Sequence, residues 1–97
     1  WVEDPASPYY NRFHHVPCGS RPPFRVTDED MSRSPTAYRH FAFIRFNADP
    51  VVPGRGSGIF LHATTGRPTL GCVALDNDEI DEVAALAKVG ITVVIEP

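Results

Sequence analysis

Six of the chain's ten prolines fall within its first 36 residues, at Pro5, Pro8, Pro17, Pro22, Pro23 and Pro35. Each proline removes a backbone N–H and fixes φ, so neither a regular helix nor an interior strand runs through such a stretch. Residues 1–36 therefore read as loop with short extended pieces, and a loop that long inside a domain is usually functional or disordered. Tyr9-Tyr10-Asn11-Arg12-Phe13 is aromatic enough to pack against something, and Asp28-Glu29-Asp30-Met31 is placed to open one helical turn. Regular structure is left to residues 37–97. Ninety-seven residues make one small domain, which buries about 60–70% of its unfolded surface.

Within 37–97 the strongest strand signal is Tyr38 to Asn47. Tyr38, Ala42, Ile44 and Phe46 alternate onto one face, with Phe41 and Phe43 on the other. Apolar residues on both faces predict an interior strand covered on two sides. His40 reads as a partly buried polar residue with one hydrogen-bond partner. Asn47-Ala48-Asp49-Pro50 turns the chain, and a Pro/Gly-rich connection follows from Val51 to Gly58. Its Gly54-Arg55-Gly56-Ser57-Gly58 is superficially like a phosphate-cradling loop, but that motif needs a helix after it. A strand-like run, Ser57 to Ala63, stands there instead, which argues against nucleotide binding. Thr64 to Pro68 is a second turn. Asp76 is placed to cap a helix over about 77–88, with Glu79 at the capping-box position and Ile80, Val83, Ala84 and Ala87 at helical spacing. Gly90 is expected to close it, and Ile91 to Ile95 to form a buried final strand. The one clear helix thus precedes the last strand.

Apolar residues at 42% and charged residues at 22% fit a folded globular domain. No apolar run approaches the roughly 20 residues that span a bilayer. Residues 76–97 carry a net charge of −5 and residues 1–75 a net of +2. That balance argues against a nucleic-acid binder, which would present a basic stripe, and it tolerates a carboxylate-bearing ligand near the basic portion. The acidic cluster at 76–82 is a solvated helix start. His14, His15 and Cys18 supply at most three metal ligands without a fourth, so no metal or other cofactor is expected. The start at Trp1 is neither a Met nor a signal peptide, and the chain is expected to be a processed or N-terminally truncated one.

The chemistry gathers at Cys72 and His62. A thiol and an imidazole can form a nucleophile–base pair, and a glycine beside the thiol lets backbone N–H groups approach a developing oxyanion. Cys72 follows Gly71 in Pro68-Thr69-Leu70-Gly71-Cys72-Val73, and His62 ends Ile59-Phe60-Leu61-His62. The N–H groups of Leu70, Gly71 and Cys72 are the natural oxyanion donors. Two cysteines make no disulfide framework; a Cys18–Cys72 bridge stays open and would disarm the nucleophile.

Ser57-Gly58-Ile59-Phe60-Leu61-His62 and Pro68-Thr69-Leu70-Gly71-Cys72-Val73-Ala74-Leu75 together resemble the catalytic segment of the L,D-transpeptidases, the YkuD-like family. Trp1 to Ser7, Tyr10-Asn11, Phe46-Asn47 and Pro50 to Ser57 extend the resemblance over most of the chain. It implies a fold class that is mainly β with a minor α component, and a single L,D-transpeptidase-like domain over 1–97, loop-rich in 1–36 and with its β-sheet or sandwich core in 37–97. It also implies acyl transfer on peptidoglycan stem peptides. Cys72 would attack the carbonyl of the third stem residue and expel the terminal D-alanine. The thioester would pass to a second stem's amine, giving a 3–3 cross-link, or to water. His62 would be the base, oriented through the backbone near Ala63, with Thr69 and Ser57 on the substrate. Leu70 stands where many members carry a second histidine. Carbapenem-type β-lactams are the implied inhibitors, and the periplasm or cell wall the implied location. The rival expectation is an inactive peptidoglycan-binding or structural remnant of the same fold. A hydrolytic cysteine peptidase acting on ordinary peptides would share the nucleophile.

Overall fold

The computed structural model describes residues 1–27 and 31–97. Three short strands form one mixed sheet in the order β1 (Ala42–Phe43), β2 (Phe60–Ala63), β3 (Val73–Leu75). β1 pairs with β2 antiparallel, Ala42 opposite Leu61 and Phe43 opposite Phe60. β2 pairs with β3 in parallel, with Leu61, His62 and Ala63 opposite Val73, Ala74 and Leu75. The helix α1, Asn77–Leu86, follows β3 directly.

Every residue of β2 is buried, as a central strand must be. Because side chains alternate across a strand, Leu61 and Ala63 face one way and Phe60 and His62 the other. Leu61 and Ala63 meet Ile80 of α1, with Ile44, Val73, Leu75 and Val83 packed around them. The opposite face is covered by aromatic rings from the Pro-rich segment and from β1. Trp1 lies 4.1 Å from Phe43 and 5.3 Å from Phe60 between ring centroids, and Phe41 meets Phe60 edge-on at 5.7 Å. The two faces of the sheet thus hold different things, a helix-backed core and an aromatic layer.

Several expectations need correction. The run 38–47 yields only a two-residue strand at the edge of the sheet, and Phe41 and Phe46 are about half exposed. The expected split between Ala42–Ile44 and Phe41–Phe43 holds. Tyr38, however, leaves the Ala42 face, because the chain there has not yet entered the strand, and its ring lies against Phe41 and His62. His40 is exposed, with Nε2 3.7 Å from Asp81 Oδ1. α1 ends at Leu86, since Ala87 already has extended backbone (φ −69°, ψ 139°), earlier than the Gly90 stop that the spacing suggested. Residues 91–95 form no strand and are exposed, so the helix comes after the last strand. A β-prone run becomes a strand only where a partner edge accepts its backbone. Of the expected turn at 28–31, residues 28–30 lie outside the described residues; a 3₁₀ turn is present at Met31–Arg33.

The Pro-rich segment contributes more than the sequence suggested. Val2, Tyr10 and Asn11 are buried although no regular element holds them. Val2 and Asn11 bond back to back, Asn11 N–H donating to Val2 O at 2.8 Å and Val2 N–H to Arg12 O at 3.0 Å. Core residues therefore come from both 1–36 and 37–97.

Candidate active site

The parallel pairing of β2 and β3 decides where Cys72 falls. Residues 64–72 carry the chain back to the start of β2, so Cys72 lies at the Phe60 end, two residues ahead of Ala74, the partner of His62. At strand period this puts Cys72 and His62 on the same face, away from α1. The diagonal between them is roughly 8 Å from Cα to Cα at standard strand spacings, and both line a cavity of about 560 Å³.

The thiol is cradled by backbone. Cys72 Sγ–H donates to Gly58 O at 3.5 Å, and the Phe60 N–H donates to the sulfur at 3.5 Å. Cys72 is half-buried, whereas Cys18 is exposed; both are free thiols, so the bridge left open by the sequence does not form. His62 is buried with its Nδ1 2.7 Å from Ala63 O. A carbonyl can only accept, so Nδ1 carries the proton and the Nε2 lone pair is the basic one. The Tyr38 ring, centred 4.8 Å from the imidazole, fixes the plane of the imidazole.

The loop before Cys72 is shaped by Thr69. Its hydroxyl donates to Cys72 O at 2.6 Å and accepts the Gly71 N–H at 3.4 Å. Thr69 therefore ties the turn that presents the thiol. Gly71 adopts φ +147°, a backbone conformation that side chains rarely allow, and a Cβ there would stand 2.9 Å from Ile59 Cδ1. Leu70 projects almost fully into solvent at the cavity mouth. Ser57 borders the same cavity while its hydroxyl donates to Val2 O at 3.3 Å. Of the seven residues singled out in the sequence (Cys72, His62, Leu70, Gly71, Ala63, Thr69 and Ser57), six line the one cavity beside β2 and the entry to β3, and Ala63 meets the site through its carbonyl on His62.

Sequence reasoning passed over Tyr38, Gly58, Glu3 and the Phe60 backbone as parts of this site. Tyr38 and Glu3 reach the cavity from segments distant in sequence. Gly58 carried a usable signal: it stands just before β2 with φ +67°, where a Cβ would meet Glu3 Oε1 at 2.8 Å. His14 and Cys18 lie apart from it all. His14 packs on Tyr9 at 4.1 Å and edge-on to Phe24 at 5.7 Å. Among the described residues no three His, Cys, Asp or Glu side chains are grouped as metal ligands, and no helix is long and apolar enough to cross a membrane.

The family model of YkuD, the L,D-transpeptidase catalytic domain, matches residues 3–95. No curated protein and no solved structure matches significantly.

Proposed function

The chain belongs to the L,D-transpeptidase catalytic domain family, and on that premise we propose that it is a cysteine-dependent acyltransferase of peptidoglycan stem peptides. The family is one of transferases and peptidases whose domains act on cell-wall peptidoglycan, generally outside the cytoplasm. The observation that supports a competent site here is the joint placement of a half-buried thiol and a tautomer-fixed imidazole on one cavity.

In the proposed mechanism His62 Nε2 takes the proton of Cys72, and the thiolate attacks the carbonyl carbon of the third stem residue. Loss of that proton ends the bond to Gly58 O and leaves the Phe60 N–H as the donor on sulfur. The tetrahedral oxyanion is held by N–H groups of the Leu70–Cys72 turn; the long Gly71 bond to Thr69 is the one it can displace. Collapse breaks the C–N bond, and D-alanine leaves with the proton from His62. An amine of a second stem, or water, then attacks the thioester carbonyl. The C–S bond breaks, and the proton that the attacking amine or water gives up passes through His62 to the Cys72 thiolate. Thr69 and Ser57 line the substrate path, and the periplasm or cell wall is the proposed place of work.

The test is the intact mass of the chain after incubation with a tetrapeptide stem and, separately, with a carbapenem. One acyl adduct is expected on the parent and on Cys18→Ser, and none on Cys72→Ser. Adduct surviving in the Cys72→Ser chain overturns the assignment. The outward-facing apolar residues of 91–95 favour, as a second reading, a binding or structural role without chemistry. Retention of peptidoglycan by a parent chain that forms no adduct would select it.

A further inference from the structure

Asn11 is only 2% exposed, sits at φ +55° and has every polar position of its side chain engaged. Oδ1 accepts the Trp1 indole N–H and the Gly58 N–H, each at 3.1 Å. Nδ2 donates to Phe46 O at 3.0 Å and to Asn47 O at 2.8 Å. A primary amide offers two donors and two acceptor lone pairs, so this set is complete, and the left-handed backbone is one that asparagine tolerates. Asn47 repeats the device one loop further on, with Nδ2 on Val52 O and Gly56 O and Oδ1 on the Val52 N–H, all at 2.9 Å. Together the two amides hold the glycine-rich connection into β2 from both ends.

One bond of this hub leads to the chemistry. The residue whose N–H is held by Asn11 is Gly58, and the carbonyl of Gly58 receives the Cys72 thiol. Two residues on, Phe60 supplies the N–H that points at the same sulfur. Gly58 has no side chain of its own to fix its peptide, and at φ +67° few other residues can replace it. Its orientation is therefore set from outside.

We propose that Asn11 is a positioning residue for Cys72: by holding the Gly58 N–H it anchors the residue whose carbonyl receives the thiol, and so sets where the thiol rests in the cavity shared with His62. The inference builds on Cys72 being the nucleophile, and Asn11 itself touches no reacting atom.

The readout is alkylation of Cys72 by chloroacetamide in a Cys18→Ser background, normalised to the folded fraction. Asn11→Ala removes the acceptor and is expected to slow alkylation about tenfold, the scale of a small misplacement of a reacting group. Asn11→Asp keeps the acceptor for Gly58 but turns a carboxylate toward Phe46 O and Asn47 O. It is expected to lower the Tm as much as Asn11→Ala while alkylating at the parental rate. A merely structural asparagine would give rates that follow stability in both variants. Asn11→Ala at the parental rate, or Asn11→Asp as slow as Asn11→Ala, overturns the proposal. If Asn11→Ala does not fold, Asn11→Asp decides alone: the parental rate despite a lowered Tm supports the proposal, and a slower one overturns it. Chloroacetamide needs no stem peptide. A parent chain that alkylates but forms no acyl adduct would fail the proposed function and leave this test standing.

Discussion

His62 is held at two points, by its Nδ1 bond to the Ala63 carbonyl and by the Tyr38 ring. The first selects the tautomer and the second the plane, so the imidazole is pre-set before any substrate arrives. His62→Ala is expected to slow acylation of Cys72 by about a hundredfold or more, the usual contribution of a general base. His62→Gln can keep the hydrogen bond but cannot take the proton, so it should be nearly as slow. Single-turnover acylation of the three chains measures this; equal rates for the parent and His62→Gln would leave the thiol without its base. The type and order of the two side chains were legible from Phe60-Leu61-His62 and Gly71-Cys72. Tyr38 was not, because alternation assigned it to the Ala42 face and its ring in fact turns to the imidazole.

At the scale of elements, the sheet is short and α1 supplies much of its support. Ile80 is buried to 2% against Leu61 and Ala63, and Arg39 Nη2 links the segment ahead of β1 to Asp81 at 2.8 Å and to Asn77 O at 3.1 Å. The Asp76 N–H donates to Glu79 Oε2 at 3.0 Å, as the Asp-x-x-Glu spacing suggested. Exposed ion pairs contribute little, so the apolar seat of the helix dominates. Ile80→Ala is expected to cost about 2–5 kcal/mol, a large share of what a domain this size has. Urea unfolding measures it. A loss below about 1 kcal/mol would mean that the helix does not lean on β2 in the way its burial implies. The helix start was readable because a cap and an acidic first turn are local features. Its end was not: no glycine or proline marks Ala87, and the chain turns away where its apolar contacts with the sheet stop.

For the whole molecule, the Pro-rich segment acts as a strap over the sheet face that carries the thiol. Asp4 is one of its fastenings, accepting N–H bonds from Arg25 at 2.9 Å and Ala6 at 3.1 Å. The Arg25 backbone N–H first, and then that of Ala6, hold the Asp4 carboxyl below its ordinary range. A depressed folded-state value means that this contribution is present above the unfolded value, near 3.8, and is lost as pH falls through the folded one. Asp4→Asn should therefore lower the Tm at neutral pH, and the gap to the parent should close as the pH drops below about 4. A gap constant across that window would show that the carboxylate's charge is not what fastens the strap. The radius of gyration, 14.3 Å, exceeds the roughly 12–13 Å of a tightly packed chain this long. The exposed apolar run from Val89 to Ile95 is consistent with that looser shape.

What the sequence determined by itself is local. Proline spacing ruled out an α-helix or interior strand in 1–36, the cap and acidic turn started α1, and the pieces around His62 and Cys72 marked the candidate site and the family. What the tertiary structure decided is pairing. Val93-Val94-Ile95 has every local mark of a strand and forms none, while Phe60 to Ala63 becomes the central strand because β1 and β3 flank it. Alternation says which side chains share a face, but not which edge is paired or in which direction. The parallel register that brings Cys72 back to Phe60, and the buried Asn11 amide that joins Trp1, Phe46 and Gly58, both depend on groups brought together from 10 to 47 residues apart. No local pattern encodes such meetings, because hydrogen-bond partners are chosen by the fold as a whole.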